Sequence, residues 1–445
     1  MHDDAQPART PANTLLLAML IAAMLAVPLF AVYLLVYDRQ AQSRTARDSI
    51  AEGWGGAQVI AGPVLAIPYV AQTQETVNEG GKRVTRTASV RRTLLLAPAA
   101  EAIDSTLVPQ VRRRSIYEMV VYEARNRGSA RFSLPADLGR YGVARAALAL
   151  DHAELRFGVR DSGGLVGVPP TVTVEGQRLT LEPGKGPRET GGSGFFAAVD
   201  ASALGTQALR VAYAYQVRGN GGIALAPQGG DTAWKVRSSW PSPSFQGDLL
   251  PGESRVSAKG FAATWRVGNL ALGRASVATD ADQAGDAAPV MQARVDLVTP
   301  VNVYDQVNRA VKYGFLFIGF TFTAFLMFDL IGGARVSPIE LGLIGAGLVL
   351  FFVMLLAFAE VTGFAVAYVV AATAIIGLLA TYSAAVLGSR TRAGFIAALL
   401  AALYGVLYVL IGLEAYALLI GSLLLFAGLA SVMYLTRAID WGPSA

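Results

Sequence analysis

From residue 313 to residue 435 the chain is almost continuously apolar, broken only by short polar turns. Hydrocarbon-length runs of this kind demand helices, because a bilayer offers backbone groups no water to bond. Residues 313–331, 339–359 and 363–387 each read as one span. The run 393–435 is about 43 residues, roughly 64 Å as a helix. That is twice the roughly 30 Å of hydrocarbon, so it must turn back. Its one polar break is Gly412-Leu413-Glu414. A further span, residues 15–37, precedes these and carries no charge over 23 residues. It exceeds the roughly 7–15 apolar residues of a signal peptide and no A-x-A site follows, so it reads as an uncleaved anchor.

Composition agrees. The chain is 53% hydrophobic and only 16% charged, against roughly 25% charged in a soluble domain. With no cysteine and only His2 and His152, disulfides, thiolate chemistry and Cys/His zinc sites are excluded. The net charge of +5 is read as loop arginine and surface chemistry, with no nucleic-acid partner.

Residues 38–312 have a different texture. The first helix is expected to continue to about Ala51, with Gly53, Gly55 and Gly56 stopping it. Short runs of Val, Leu, Thr and Tyr then alternate with turn residues, as in 64–72, 90–98, 171–183, 208–217 and 261–268. Period-two alternation with Gly and Pro punctuation predicts strands, and Glu175-Gly176 between two such runs predicts a hairpin. About 275 residues is long for one sandwich, so the reading is two packed β subdomains or one large sandwich, with a soft boundary near 161–170. Val303, Val307, Ala310 and Val311 share one helical face leading into the second span.

Six spans put both termini on one side. The short loops there carry Arg335, Arg390, Arg392 and Arg437, while the opposite turns near Glu360 and Glu414 carry no Lys or Arg. The positive-inside rule then places the termini in the cytoplasm and the insert outside. Arg39, Arg44 and Arg47 after the first span point the other way, but long domains translocate largely regardless of charge.

Several stretches invite chemistry. Asp161-Ser162-Gly163-Gly164 with His152 upstream is like a serine-protease loop, yet Arg160 stands where that motif has Gly, and a turn between strands is the better reading. Residues 182–186 lack the G-x-x-x-x-G-K-[ST] order of a phosphate loop. The basic runs Lys82, Arg83, Arg86, Arg91, Arg92 and Arg112–Arg114 read first as solvated strand faces and edge protection, and second as sites for anionic headgroups or glycans. Asp329, Glu340, Glu360 and Glu414 lie near span ends, and Asp329 is the one most clearly inside a span. Gly342 with Ala346, Gly405 with Gly412, and Gly421 with Gly428 read as helix-packing seams. Trp240 and Phe245 belong to a stiff Trp-Pro-Ser-Pro-Ser-Phe segment that reads as a plug under the core rather than a partner contact.

The segments GPVLAIP (62–68), SSWPSPSFQGDLLP (238–251), AVKYG (310–314), FTFTAFLMFD (320–329), AEVTGF (359–364) and LTRAIDW (435–441) together resemble the CreD family of bacterial inner-membrane proteins, nearly end to end. The resemblance implies a Gram-negative inner-membrane location, a role in cell-envelope integrity and a link to stress signalling by the CreBC two-component system. It brings no catalytic residues. The expected fold is a six-helix transmembrane bundle with a large β-rich, sandwich-like periplasmic domain inserted between helices 1 and 2. Its parts are a cytoplasmic N-terminus (1–14), helix 1 (15–37), the β domain (38–312), helices 2–6 (313–435) and a cytoplasmic C-terminus (436–445). The expected function is non-enzymatic and uses no cofactor or metal. The β domain binds or stabilises an envelope protein or glycan, with the lipid bilayer as the other partner. The alternative is a transporter or lipid-handling protein using the acidic residues near the helix ends. The candidate functional residues are Asp329, Glu360, Glu414, Trp240 and Phe245.

Overall fold

The computed structural model describes residues 11–79, 82–280, 290–299, 303–330, 337–413 and 417–437. It divides into a helical unit, Met1–Thr45 with Val301–Ala445, and a β unit, Ala46–Pro300.

Two sheets build the β unit. The first contains β1 (Gln58–Glu79), β2 (Lys82–Leu96), β5 (Ala153–Val159), β8 (Glu182–Pro183), β9 (Gly194–Val199), β11 (Gly222–Ala226), β13 (Pro243–Gly247), β16 (Val277–Thr279) and β17 (Ala293–Leu297). Its path is β13-β17-β11-β1-β5-β9-β8, with β2 on β1 and β16 on β2. The second contains β3 (Ala100–Arg114), β4 (Tyr117–Phe132), β6 (Thr171–Val174), β7 (Gln177–Arg178), β10 (Leu209–Asn220), β12 (Asp231–Ser238), β14 (Glu253–Ser257) and β15 (Gly260–Val267). Its order is β14-β15-β12-β3-β4-β10-β6-β7. Most pairs are antiparallel, but β1 runs parallel to β11 and β3 parallel to β12.

One apolar core serves both sheets, with Leu65, Leu155 and Phe157 from the first and Ile103, Val211, Trp234 and Trp265 from the second. The region around residues 161–170 therefore divides nothing: this is one large two-sheet unit, the second of the two alternatives. The strands follow their alternation. In β10 every second residue from Leu209 to Gly219 is buried, as a sheet with one wet face requires. The hairpin at Glu175-Gly176 forms, with Val174 opposite Gln177. Its turn residues have φ +46° and +85°, the conformation of a tight two-residue hairpin. Pro63 falls where the β1–β5 register shifts between Ala61 and Val64, so its missing N–H interrupts no regular ladder.

The first helix, α1 (Pro11–Trp54), begins in the helical unit and passes Gly53, ending three residues beyond the expected Ala51. After the short α2 (Asn269–Leu272) of the β unit come α3 (Val303–Lys312), α4 (Gly314–Leu330), α5 (Pro338–Thr362), α6 (Phe364–Val386), α7 (Arg390–Gly412) and α8 (Ala417–Thr436). Among the described residues, five helical segments are long and apolar enough to cross a membrane, and the stretch Leu419–Tyr434 is a shorter apolar helix. On α3, Tyr304, Val307, Ala310 and Val311 are buried; Tyr304 takes the place expected for Val303.

Glu340 has a structural role at the start of its helix. Its Oε2 accepts from the Ser337 backbone N–H at 2.7 Å, and Ser337 Oγ accepts from the Glu340 N–H at 3.2 Å. This is a capping box, closed by Pro338 in the first turn of α5, and it satisfies backbone donors that would otherwise be orphaned. The packing seams agree with expectation at Gly428 and differ at Gly342, Gly405 and Gly412. Gly342, Gly405 and Gly412 have open space where a Cβ would be, whereas a Cβ on Gly345 would strike Leu25 and one on Gly428 would strike Phe320. An aromatic cluster ties α5, α6 and α7: Phe351 lies 4.5 Å from Tyr404 and 5.4 Å from Tyr368, centroid to centroid. The Tyr368 hydroxyl donates to the Tyr404 carbonyl at 2.6 Å, which gives a buried hydroxyl its partner.

Candidate functional site

The most unusual chemistry lies in the core of the β unit. On β3, Glu101, Ile103, Ser105 and Leu107 alternate inward while Ala102, Asp104 and Thr106 face out. Glu101 is thus a carboxyl on an apolar strand face, only 3% exposed. The Tyr213 hydroxyl on β10 donates to its Oε1 at 2.7 Å. Its Oε2 has no hydrogen-bond partner among the described residues. Burial pushes the carboxyl up from 4.5 to about 7, against the Tyr213 hydrogen bond, which lowers it. Burial likewise holds the Tyr213 hydroxyl well above its ordinary value, with the Glu101 charge adding to the effect.

Two glycines make this arrangement fit. A Cβ on Gly62 of β1 would lie 2.1 Å from Glu101 Oε1, and one on Gly128 of β4 would lie 2.3 Å from the Tyr213 ring. Gly62 opens the GPVLAIP segment, so that segment brings backbone close over the buried acid. Aromatic rings close the surroundings: Phe157 meets Tyr213 edge-on at 5.2 Å, and Phe195 meets Tyr215 edge-on at 5.7 Å. Nearby, Trp234 Nε1 donates to Ser105 Oγ at 2.9 Å, and Ser105 Oγ donates to Asn126 Oδ1 at 2.7 Å. A carboxyl so enclosed reaches no substrate. It can change protonation near neutrality and couple that change to the packing of both sheets. Sequence reading passed over Glu101, although its inward parity between Ala100 and Ile103 was a usable signal.

Three of the five sequence candidates have described side chains: Glu360 in the helical unit, and Trp240 and Phe245 in the β unit. Glu414 lies outside the described residues, as does the side chain of Asp329. So do Arg335, His2 and the side chains of Lys82, Arg83 and Arg86. Glu360 sits at the end of α5, where the Tyr304 hydroxyl donates to its Oε1 at 3.1 Å and Arg39 Nε lies 3.9 Å away. Beside it, Gln40 Nε2 donates to Asp305 Oδ1 at 3.1 Å. These contacts join α1, α3 and α5 of the helical unit, and Arg39 offsets a negative charge that the helix C-terminus disfavours. Trp240 and Phe245 pack against the β core. Trp240 Nε1 donates to the Val298 carbonyl at 2.9 Å, and Phe245 meets Trp265 and Phe261 edge-on.

The protease-like stretch is a turn. Asp161 Oδ2 accepts from the Gly56 N–H at 2.7 Å and Oδ1 from the Gly163 N–H at 3.0 Å, so it caps a short 3-10 turn at Ser162–Gly164 and fixes the chain leaving α1. His152 is exposed and pairs with Asp151. Lys185, in the glycine-rich loop, pairs with Glu154 and lies over the Phe196 ring. Of the basic runs, Arg112 lies over the Trp54 ring at 4.4 Å and Arg113 pairs with Glu118; Arg218, outside those runs, also lies over Trp54, at 4.5 Å. Among the described residues, no three His, Asp or Glu side chains gather as a metal site needs.

A family model described as "Inner membrane protein CreD" matches residues 11–442. The chain is 32% identical to "Inner membrane protein CreD" of Escherichia coli (strain K12) over 423 residues, covering 94% of this chain and 91% of that protein. Among solved structures, an M1 zinc metallopeptidase of Deinococcus radiodurans shares 7% identity at a TM-score of 0.23, covering 49% of this chain and 53% of the other. A likeness that slight carries no argument about fold or activity.

Proposed function

The chain belongs to the CreD family of inner membrane proteins, and from that premise we propose that it supports cell-envelope integrity and the envelope stress response without catalysing a reaction. It is a multi-pass membrane protein with a large β-rich region. In this reading six helices cross the bilayer, with Ala417–Thr436 as the sixth, and both termini are cytoplasmic. Residues 38–312 stand in the periplasm, where the β unit binds or stabilises an envelope protein or glycan.

One observation carries the reading: a β unit with its own core, Ala46–Pro300, follows directly on a hydrocarbon-length helix. A unit of that kind is delivered whole to one side of the membrane. The charges of the short connections support the outer side. Arg390 and Arg392 open α7 and Arg437 follows α8, whereas Glu360 ends α5 at the opposite turn. The chain has no cysteine, so Ala258→Cys, in the exposed turn between β14 and β15, gives a single reporter. An impermeant thiol reagent should label it once the outer membrane is made permeable while the inner membrane is intact. Labelling only after the inner membrane is broken would overturn the orientation.

A second reading, lipid handling, is favoured by an apolar groove of about 680 Å³ in the helical unit. It lies among α4, α7 and α8, lined by Phe320, Met327, Phe395 and Leu424, with Thr323, Arg392 and Ser431 as its polar members.

A further inference from the structure

The outer face of the second sheet carries a feature that the core does not explain. In register across four strands, Thr264 of β15 lies beside Lys235 of β12, Lys235 beside Asp104 of β3, and Asp104 beside Arg127 of β4. In the next row Arg266 lies beside Ala233, Ala233 beside Ala102, and Ala102 beside Ser129. Long cationic side chains therefore stand around a floor of alanine and serine. They enclose a trough of about 630 Å³, within the roughly 300–1,000 Å³ of ligand clefts. Among the described residues, Arg127, Lys235 and Arg266 have no carboxylate within ion-pair distance, while Asp104 pairs with Arg237 at 3.0 Å. That pair is solvent-exposed on both sides. Exposed pairs of this kind are weak, so Asp104 can exchange Arg237 for a ligand hydroxyl at little cost.

We propose that this trough binds a phosphorylated sugar. Three cations without a carboxylate partner among the described residues line one trough, which suits a doubly charged phosphoryl group through charge-assisted hydrogen bonds. A bare anion site would not place a carboxylate among them. Asp104, with the hydroxyls of Ser129 and Thr264, supplies acceptors for the hydroxyl groups of a sugar ring. The inference deepens the partner half of the proposed function. It rests on that reading only for where the ligand is met, since binding to purified protein does not depend on orientation. The same chemistry is offered by a free sugar phosphate and by the headgroup of a phosphorylated glycolipid.

The test uses the full chain in a neutral detergent, titrated with glucose 6-phosphate, glucose and inorganic phosphate by calorimetry. Glucose 6-phosphate should bind saturably, and each half-ligand at least about tenfold more weakly. Lys235→Gln and Arg266→Gln should each weaken glucose 6-phosphate by about tenfold. Asp104→Asn should weaken glucose 6-phosphate but not inorganic phosphate. Ala102→Gln fills the floor without touching a charge and should weaken binding too. All four positions lie on the sheet's outer face, and thermal unfolding confirms the fold of each variant. Absence of saturable binding by wild-type protein overturns the proposal. So does an equal loss from Arg255→Gln, an exposed cation of β14 outside the trough, because the effect would then be diffuse charge. Tighter glucose 6-phosphate binding by Asp104→Asn likewise overturns it. Competition by vesicles carrying a phosphorylated glycolipid, against neutral phosphatidylcholine vesicles, assigns the headgroup as the source; without competition the free sugar phosphate is the ligand. Correct labelling at Ala258→Cys with no binding here removes this proposal alone.

Discussion

Glu101 occupies a position where a charge is expensive. Among the described residues its one hydrogen-bond donor is the Tyr213 hydroxyl, and Tyr213, Tyr215 and the backbone at Gly62 face it. An isolated carboxylate in such surroundings prefers to stay protonated. Its folded-state value is raised from 4.5 to about 7, so the fold binds a proton that the unfolded chain releases. The stabilisation is fully present below pH 4.5 and is lost as pH rises through about 7. By linkage the loss amounts to about 3 kcal/mol. Glu101→Gln keeps an acceptor for Tyr213 and resembles the protonated acid in shape. The variant should therefore hold its denaturant midpoint nearly constant between pH 5 and pH 8, while wild-type protein falls. Fluorescence of the buried Trp234 and Trp265 reports this unfolding. Parallel pH profiles for the two proteins would show that Glu101 does not carry the dependence.

At the scale of the element, β1 and β3 meet across the core at Gly62. The φ angle of Gly62 is not among the positive ones, so space and not backbone conformation demands glycine there. Gly62→Ala would press a methyl group into the Glu101 carboxyl, and overpacking of this kind costs about 1–3 kcal/mol. In the Glu101→Ala background the same substitution should cost much less. A double-mutant cycle on denaturant midpoints should give a coupling of about 1 kcal/mol or more; additivity would mean that the two strands do not meet as described. The sequence made this contact legible only in part. GPVLAIP is visible as a motif, and the parity of β3 points Glu101 inward. What lies opposite Gly62 depends on how two sheets stack, and no local period encodes that. The same holds for the parallel pairs β1–β11 and β3–β12, which join strands far apart in the chain. Local signals fared better. The hairpin at Glu175-Gly176, the end of α7 at Gly412 and the long apolar runs are readable because turn chemistry and hydrocarbon length act over a few residues. The misjudged seams at Gly342 and Gly405 show the limit: glycine spacing tells that helices can approach, not which face does.

For the molecule as a whole, anchoring and transport make different demands on the helices. Transport through the bilayer places ionisable groups along a path where they exchange partners. Glu360 instead has Tyr304 and Arg39 beside it, contacts that tie three helices at one end of the helical unit. Asp329, whose side chain lies outside the described residues, is the other group a transport path would use. Glu360→Gln retains an acceptor for Tyr304 and gives up only a partly exposed ion pair, a loss of about 1 kcal/mol or less. Asp329→Asn removes the second of these two charges with little change of volume. If the helices anchor a β unit that does the binding, the double variant Glu360→Gln, Asp329→Asn should accumulate to wild-type level. It should then restore detergent resistance to cells lacking the protein. If acidic residues near the helix ends carry ions or lipids, the same cells should contain the protein yet stay sensitive. Immunoblotting of membranes beside growth in detergent separates the two outcomes, and sensitivity at full protein level would replace the anchoring role with transport.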